Sequence, residues 1–228
     1  MNLIPKAVAA IAVVLPSFAF AGTWVVDPAH AQAKFTVKHM MVMDVTGTLG
    51  KVNGTIEMDE KDMTKSTVEI SIDVDPNTQE AKRDAHLKGP DFFDVEKFPK
   101  ATFKSKKIAK AGKDKFKVTG DLTLRDVTKE VVVDVTMTPE YTHPFTKAPV
   151  RAVVGTTKIN RLDYGLKWQV PMANNALFVG NDVKIEVSAE IGPKQAEAAQ
   201  QEAAKEETKP AAEAAKAADA GVKSAPKK

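Results

Sequence analysis

Strict alternation of apolar and polar residues recurs along the middle of this chain and constrains its fold more than any other feature. In Val68–Val74 and Val183–Ile191, every second residue is aliphatic and the residues between are polar or charged. This two-residue period is typical of a β-strand with one buried and one solvated face. Eight segments carry it, some weakly: Ala31–Val37, Lys51–Met58, Val68–Val74, Ala101–Ile108, Phe116–Leu124, Val131–Met137, Val150–Lys158 and Val183–Ile191.

The connections between these segments favour an antiparallel sheet. Several are only a few residues long, whereas parallel strands need a long, usually helical, crossover. Only Thr78–Lys88 resembles a helix, with Thr78 as its expected cap and Gly89-Pro90 ending it. Gly120 interrupts one alternating segment, which predicts a bend or bulge there. The sequence therefore predicts an all-β domain with one short helix over residues 78–88.

The strand pattern alone leaves open whether the interior is hollow or filled. The apolar faces carry mostly Val, Ile and Ala, and most aromatic residues lie in the connections. A closed eight-stranded barrel with such small inward side chains has room for one apolar ligand. A sandwich of two sheets, with faces that interdigitate across about 10 Å, explains the same pattern.

The two ends of the chain differ from the middle in composition. Residues 1–21 carry Lys6, an apolar run and Ala19-Phe20-Ala21, a pattern typical of a secretory signal cleaved before Gly22. The apolar run is too short for the ~20 residues of a membrane-spanning helix. Residues 193–228 are rich in Ala, Lys and Glu, and we expect a disordered, solvated tail, with a tether to cell wall or membrane as the alternative. Residues 22–192 form the predicted domain.

Charge and missing residue types exclude several classes of function. Residues 22–192 hold 25 basic and 24 acidic residues, which gives no electrostatic footprint for nucleic acid. The chain has no cysteine, and therefore no thiol chemistry or disulfides. Its four histidines show neither the HxH nor the HExxH spacing of a local zinc site, and no GxSxG or glycine-rich phosphate loop is present. We expect neither an enzyme nor a metal site.

Two local clusters each allow two interpretations. Met40, Met41 and Met43 follow the first strand, and we expect them to fill the core beneath a loop, although methionines also form surfaces for varied apolar partners. Residues 104–117 contain seven lysines and one acid. We expect a solvated hairpin that protects a sheet edge, with docking on anionic lipid as the alternative.

Several spaced motifs follow one another in order along residues 22–191. They are Trp24-Val-Val-Asp27-Pro-Ala-His30 with Phe35-Thr-Val-Lys-His39, Thr78 to Phe103 with Arg83-Asp84-Ala-His86 and Asp91-Phe92-Phe93-Asp94, Gly120 to Lys129, and Arg161-Leu-Asp163-Tyr164-Gly165. Together they resemble the motifs of the YceI-like family of periplasmic, lipocalin-like, isoprenoid-binding proteins. Ala31, where the family often has Ser, and Asp126, where Gly is frequent, depart from the pattern.

This resemblance implies an eight-stranded antiparallel barrel around a long apolar tunnel that holds a polyisoprenoid, such as a prenyl quinone or polyprenyl chain, without covalent chemistry. Inward side chains of the predicted strands then become tunnel candidates: Phe35, Val37, Ile70, Ile72, Phe103, Phe116, Val133, Val135 and Ile185. The motifs also single out polar residues for the tunnel mouth, or for pinning the helix and a late loop across it: His30, His39, Arg83, Asp84, His86, Arg161 and Asp163.

The hypothesis that follows is a periplasmic carrier of an isoprenoid lipid or quinone, without a cofactor and with transient contact to a membrane surface. An enzyme that acts on an isoprenoid, using Asp27, His30 or His86, is one alternative. A structural stress protein with a tail that binds cell wall is another. Chain length, head group, donor and acceptor stay open, as does the oligomeric state, with a dimer among the options.

Overall fold

Eight long antiparallel strands close into a barrel in the computed structural model, which describes residues 22–173 and 176–194. Each strand pairs with its neighbours along the sheet order β6-β5-β4-β3-β2-β1-β9-β8, and pairing of β6 with β8 closes the ring. The two-residue β7 pairs only with β8. The strands are β1 (Gly22–His39), β2 (Met43–Met58), β3 (Thr67–Asn77), β4 (Lys100–Gly112), β5 (Lys115–Leu124), β6 (Val127–Met137), β7 (Tyr141–Thr142), β8 (Pro149–Asn160) and β9 (Val179–Pro193).

The structure confirms the predicted antiparallel barrel. Each of the eight alternating segments lies within a strand, although the observed strands are longer. The last strand extends to Pro193, which pairs with Trp24, one residue beyond the predicted boundary at 192. The predicted signal, residues 1–21, and almost all of the predicted tail lie outside the described residues.

The α-helix within the described residues is shorter than predicted. Helix α1 runs over Ala81–Lys88, and its N-cap is Glu80, whose carboxylate accepts from the amides of Lys82 and Arg83. Thr78 does not cap the helix, because its hydroxyl group donates to Asp84 instead. The predicted start at Thr78 was wrong because a glutamate took the cap position.

Irregular pairing in two strands sets which side chains face inward. In β1, the register shifts between Val26 and Ala31, so that Asp27–His30 bulge outward and the inward residues change from even to odd numbers. The bulge predicted at Gly120 instead lies in the opposite strand, between Ser105 and Lys107. A Cβ atom on Gly120 would lie 2.6 Å from the Phe103 ring, so glycine leaves the space that this ring occupies.

The barrel has two different ends, because alternate connections lie at opposite ends of antiparallel strands. We call one the termini end, since Gly22 and Pro193 lie there, and the other the helix end, since α1 lies there. The termini end comprises the connections 59–66, 113–114 and 138–148. The helix end comprises the connections 40–42, 78–99, 125–126 and 161–178.

The helix end is filled by a packed core. Aromatic rings from the connections enter the barrel there, and Phe93 lies 6.4 Å from Phe35, centroid to centroid. Their buried neighbours include Leu49, Val74, Phe92, Leu124, Ile159, Tyr164 and Leu166. The sequence left a filled and a hollow interior as alternatives, and this half of the barrel is filled.

The methionines after β1 are not core residues. Met40, Met41 and Met43 are exposed, and Val42 between them is 79% exposed. Met40 and Met41 have φ of 50° and 60°, the left-handed values of a tight hairpin turn that favours Asn and Gly. The expectation that they lie beneath a loop was wrong, because the two strands pair up to the turn and leave its side chains in solvent.

Candidate functional site

The termini half of the barrel encloses an apolar cavity of about 180 Å³. Packed interiors hold few voids larger than a single water molecule, so this space is far larger than imperfect packing leaves. None of its described lining residues is charged. The wall consists of Val26, Ile56, Met58, Met63, Ser66, Val68, Ile70, Ile72, Ala101, Thr102, Phe103, Ile108, Phe116, Val118, Leu122, Val131, Val133, Val135, Met137, Val153, Gly155, Thr157, Ile185, Val187, Ala189 and Ile191.

The cavity exists because inward positions of this half carry small side chains. Along β6 these positions are Val131, Val133, Val135 and Met137, which are only half-buried although they face the interior. The neighbouring strand β8 contributes Gly155, which has no side chain. A Cβ atom on Gly155 would lie 3.1 Å from the Val133 side chain. Among the described residues that line the cavity, no aromatic ring comes from a connection, in contrast to the helix end. The hollow space is therefore a consequence of side-chain size along otherwise regular strands.

Seven of the nine predicted tunnel residues lie on this wall. The two others are Phe35 and Val37, which the register places nearer the helix end. Phe35 packs against Phe93 in the filled core. Those on the wall are Ile70, Ile72, Phe103, Phe116, Val133, Val135 and Ile185.

Trp24 and Arg151 follow the cavity wall toward the termini end. Arg151 pairs with Ile191 across β8 and β9, and Trp24 lies two residues from Val26, so both share the inward face of wall residues. The Arg151 guanidinium lies 5.5 Å from the centre of the Trp24 ring. Sequence reasoning missed both, although the alternation of Arg151 with Val153 indicated the inward position.

None of the seven predicted polar residues lies on the cavity wall. Arg83 and Asp84 lie in α1 at the opposite end, where Thr78 connects them. Thr78 donates its amide to Asp84 at 2.7 Å, and Arg83 donates from Nε to the Thr78 hydroxyl at 2.6 Å. The hydrogen bond from the Thr78 hydroxyl holds the pKa of Asp84 below its usual value. Burial acts in the opposite direction but is outweighed. This network fixes the start of α1 and does not border the cavity.

His86 and His39 belong to an aromatic cluster at the helix end. His86 meets Trp168 edge-on at 5.0 Å and hydrogen-bonds to Asp91 at 2.8 Å. His39 meets Phe178 edge-on at 4.8 Å, and Phe178 lies 5.9 Å from Trp168. These contacts join α1, the β1–β2 turn and the 161–178 connection. Both histidines are therefore placed to support packing of that end.

Arg161 is a buried cation that holds the 161–178 connection. It is 3% exposed, and burial lowers its pKa. Its guanidinium donates to Asn181 and to four backbone carbonyls, those of Leu166, Trp168, Val179 and Gly180. No carboxylate of the described residues lies within ion-pair distance of it. Asp163, in contrast, is exposed and lies 3.7 Å from Lys129.

His30 lies on the outward bulge of β1 beside two carboxylates. Its Nδ1 lies 2.6 Å from Asp27 and 4.0 Å from Glu190. The hydrogen bond to Asp27, together with both negative charges, raises the pKa of His30. Burial acts to raise the pKa of Asp27. The hydrogen bonds from His30 and from the Ala29 amide outweigh burial, so this pKa is lowered. One histidine and two carboxylates are an acceptable ligand set for a metal ion, but all three are at least partly exposed.

A model of the YceI-like domain matches residues 24–191. UPF0312 proteins from Staphylococcus aureus strains MSSA476 and MW2 are 35% identical to this chain over 168 residues, which is 72% of this chain and 94% of each relative. Among the described residues, no helix is both long and apolar enough to cross a membrane.

Solved structures share the fold. BcnA from Burkholderia cenocepacia matches with a TM-score of 0.63 and 24% identity, over 72% of this chain and 98% of that protein. The Campylobacter jejuni YCEI protein matches with 0.59 and 25%, over 69% and 90%. A polyisoprenoid binding domain from Saccharophagus degradans matches with 0.54 and 12%, over 75% and 98%.

Proposed function

Because the chain belongs to the YceI-like family, we propose that it is a carrier that holds an isoprenoid lipid or prenyl quinone inside its barrel. The observation that carries this proposal is the cavity of about 180 Å³ with an uncharged, almost wholly apolar wall. A prenyl chain is a methyl-branched hydrocarbon with almost no hydrogen-bonding groups. Burial of its surface against such a wall contributes about 25 cal/mol per Å², before the cost of ordering the chain.

The fold of the Saccharophagus degradans domain, described as polyisoprenoid binding, agrees with this choice of ligand. The alternative of an enzyme lacks support from the cavity, since Asp27, His30 and His86 all lie away from its wall. A stress protein with an incidental barrel predicts a filled interior, which only the helix half shows. The carrier accounts for both halves: the filled one stabilises the barrel, and the hollow one holds the ligand.

We further propose that the carrier works in the periplasm and contacts a membrane surface transiently with its termini end. The signal pattern of residues 1–21 supports the location. Exposed aromatic side chains support the contact: Phe145 is 88% and Tyr141 61% exposed, in the connection that follows the wall residue Met137. Tyrosine is enriched at the lipid headgroup region, and phenylalanine is among the residues that insert into the interface from a protein surface.

Lysines at the same end support an anionic membrane. Three of the seven lysines in residues 104–117 pair with acids, namely Lys104, Lys106 and Lys117. The exposed Lys110, Lys113 and Lys115, near the β4–β5 turn, have no carboxylate of the described residues within 4.0 Å. This turn is adjacent to the aromatic connection, since Met137 donates its amide to the Asp114 carbonyl at 3.0 Å.

The carrier hypothesis is tested by filling the cavity from its wall. In Val133→Phe, the added ring enters space that the prenyl chain would occupy, so we expect the protein to lose its isoprenoid. The delipidated variant should unfold within about 1 kcal/mol of the unchanged protein, because the ring fills a void. Mass spectrometry of solvent extracts, from protein purified without detergent, measures the bound lipid.

Val132→Phe is the matched control, since Val132 is the next residue of β6 and faces outward. It adds the same atoms without reducing the cavity, and should retain the lipid. Isoprenoid retained by Val133→Phe, together with a loss of about 1–3 kcal/mol in apo stability, would indicate a close-packed interior and contradict the carrier.

A further inference from the structure

The termini end of the cavity differs chemically from the rest, because it is where charged residues reach the inward face. Arg151 continues the inward series of β8 beyond Val153, directly opposite the wall residue Ile191. Lys110, which is exposed, lies at the rim of the same end, opposite the wall residue Phe116 in the register of β4 and β5. A ligand whose chain fills the apolar cavity would therefore bring its polar end to these two cations.

Arg151 has hydrogen-bonding capacity that the described residues do not use. Its guanidinium rests on Trp24 and donates from Nη2 to Glu140 at 3.3 Å. Its Nε is buried and has no hydrogen-bond partner among the described residues. A buried donor without an acceptor costs free energy, unless a ligand or water supplies the acceptor. The Arg151 Nε is therefore able to donate to an oxygen atom that a ligand would supply.

On this basis, and resting on the proposed carrier function, we propose that Arg151 binds the head group of the ligand and that this head group is a phosphate. The planar guanidinium presents donors that match the oxygens of a phosphate group. The cation favours an anionic head group, since its one ion-pair partner among the described residues is the half-exposed Glu140. The predicted ligand is a prenyl phosphate, with its chain toward the helix end and its phosphate at the termini end.

Two probes with the same chain separate head-group recognition from chain recognition. Geranylgeranyl phosphate and geranylgeraniol differ only in the phosphate, and their affinities for the delipidated full-length protein are measured by calorimetry. We expect the phosphate to bind at least tenfold more tightly than the alcohol. Arg151→Met keeps an unbranched side chain that can still lie on Trp24, and should reduce phosphate affinity at least tenfold while alcohol affinity changes less than about threefold.

A second variant tests the site even if Arg151→Met is unstable. Glu140→Gln removes the carboxylate that competes for Arg151, so phosphate affinity should rise about threefold or more and alcohol affinity should not. Arg83→Met is the matched control, because Arg83 lies in α1 at the helix end. It should leave both affinities unchanged.

The possible results distinguish the head-group site from the carrier function. Wild-type protein that binds both probes equally, or Arg151→Met that keeps the preference for phosphate, would overturn the phosphate site and leave the carrier intact. If Arg83→Met loses the preference for phosphate and Arg151→Met keeps it, the head group lies at the helix end. This result would also overturn the phosphate site at Arg151. Wild-type protein that binds neither probe would overturn both proposals.

Discussion

At the scale of single residues, the conspicuous polar side chains of this protein contact neighbouring side chains and backbone away from the cavity wall. Arg161 is the clearest case, because a charged side chain that is almost completely buried would normally suggest a binding site. Its donors are instead directed at backbone carbonyls, two in the 161–178 connection and two at the start of β9, and they join that connection to the strand. The residues that border the cavity, Trp24 and Arg151, are less conspicuous in the sequence.

His30 should make stability depend on pH in a predictable direction. Its pKa is raised in the folded state, so its contribution is fully present below the unfolded pKa and is lost as pH rises through the folded value. The pKa of Asp27 is lowered, so its contribution is lost only as pH falls through its own folded value. His30→Gln should therefore lower the Tm slightly at pH about 5.5, and hardly at all at pH about 9.

NMR titration of the His30 ring tests the cause of this dependence. In Asp27→Asn, the His30 pKa should fall toward the ordinary value, because the hydrogen bond and the charge are both weakened. Glu190→Gln is the control with a smaller expected effect, since Glu190 is 4.0 Å away. An unchanged His30 titration in Asp27→Asn would show that another group causes the shift.

Tyr164→Phe should leave stability equal or higher. Tyr164 is 2% exposed in the filled half, and its hydroxyl has no hydrogen-bond partner among the described residues. Burial also raises its pKa, with the nearby Asp163 contributing. Removal of an unsatisfied hydroxyl relieves a cost of roughly 1 kcal/mol, which denaturant unfolding can resolve. Exposed Tyr141→Phe is the control, and a clear loss in Tyr164→Phe alone would reveal a partner for the hydroxyl.

At the scale of elements, regular strands form the barrel, whereas connections decide which half of it is filled. The segment 78–99 places α1 and its aromatic residues over the helix end, and the 161–178 connection adds Trp168 beside Phe92, with ring centres 5.4 Å apart. Connections at the termini end supply no such rings to the interior. The helix half is therefore filled because its connections contribute aromatic rings, and the termini half is hollow because its connections do not.

Asp84→Ala should loosen the segment around α1 without unfolding the barrel. Asp84 accepts from both the amide and the hydroxyl of Thr78, which joins the end of β3 to the helix. Hydrogen exchange of residues 78–88 should become faster, while the strand amides should stay protected. Because the pKa of Asp84 is lowered, its stabilising contribution is lost as pH falls through its folded value.

The difference in Tm between Asp84→Ala and the unchanged protein should therefore become smaller at acidic pH, because the unchanged protein then loses the contribution of Asp84 as well. Glu96→Gln is the control, since Glu96 is an exposed acid of the same connection that has no hydrogen bond or ion pair to the described residues. Faster exchange throughout the barrel would instead show that the Thr78 network stabilises the whole fold.

At the scale of the whole molecule, the two ends offer different exposed apolar surfaces. Phe145 and Tyr141 lie at the termini end with unpaired lysines, and the turn of Met40, Met41, Val42 and Met43 lies at the helix end. Within the part of the chain that the structure describes, only the termini end combines exposed aromatic residues with unpaired positive charge beside the hollow half. A carrier that exchanges lipid with an anionic membrane is therefore expected to approach it with this end.

A double variant, Phe145→Ser with Lys113→Glu, should weaken co-sedimentation with phosphatidylglycerol-rich vesicles at least tenfold, because it removes an inserting ring and reverses a charge. Binding of the unchanged protein should also weaken as salt is added. The matched control is Val42→Ser with Lys82→Glu, which makes the same kinds of change at the helix end. Weaker binding in the control than in the test variant would show that the helix end docks.

The sequence by itself determined the strands, their antiparallel arrangement and which side chains of each strand share a face. The reason is that the two-residue period depends only on which side of a pleated strand each side chain occupies. Alternation placed Ile70, Ile72, Val133 and Val135 on one inward face without knowledge of their partners. The helix cap at Glu80 was harder to predict, because Thr78 and Glu80 are both able to cap and only the bonding of Thr78 to Asp84 decides between them.

Only the tertiary structure decided that one half of the barrel is filled and the other hollow. Whether a ring in a connection enters the barrel depends on contacts between residues far apart in the chain, such as Phe35 with Phe93. The same is true of Arg151, whose inward position follows from strand register but whose nearness to Trp24 follows from the pairing of β9 with both β1 and β8. Local periodicity carries no information about such contacts, because they form only when distant strands and connections meet.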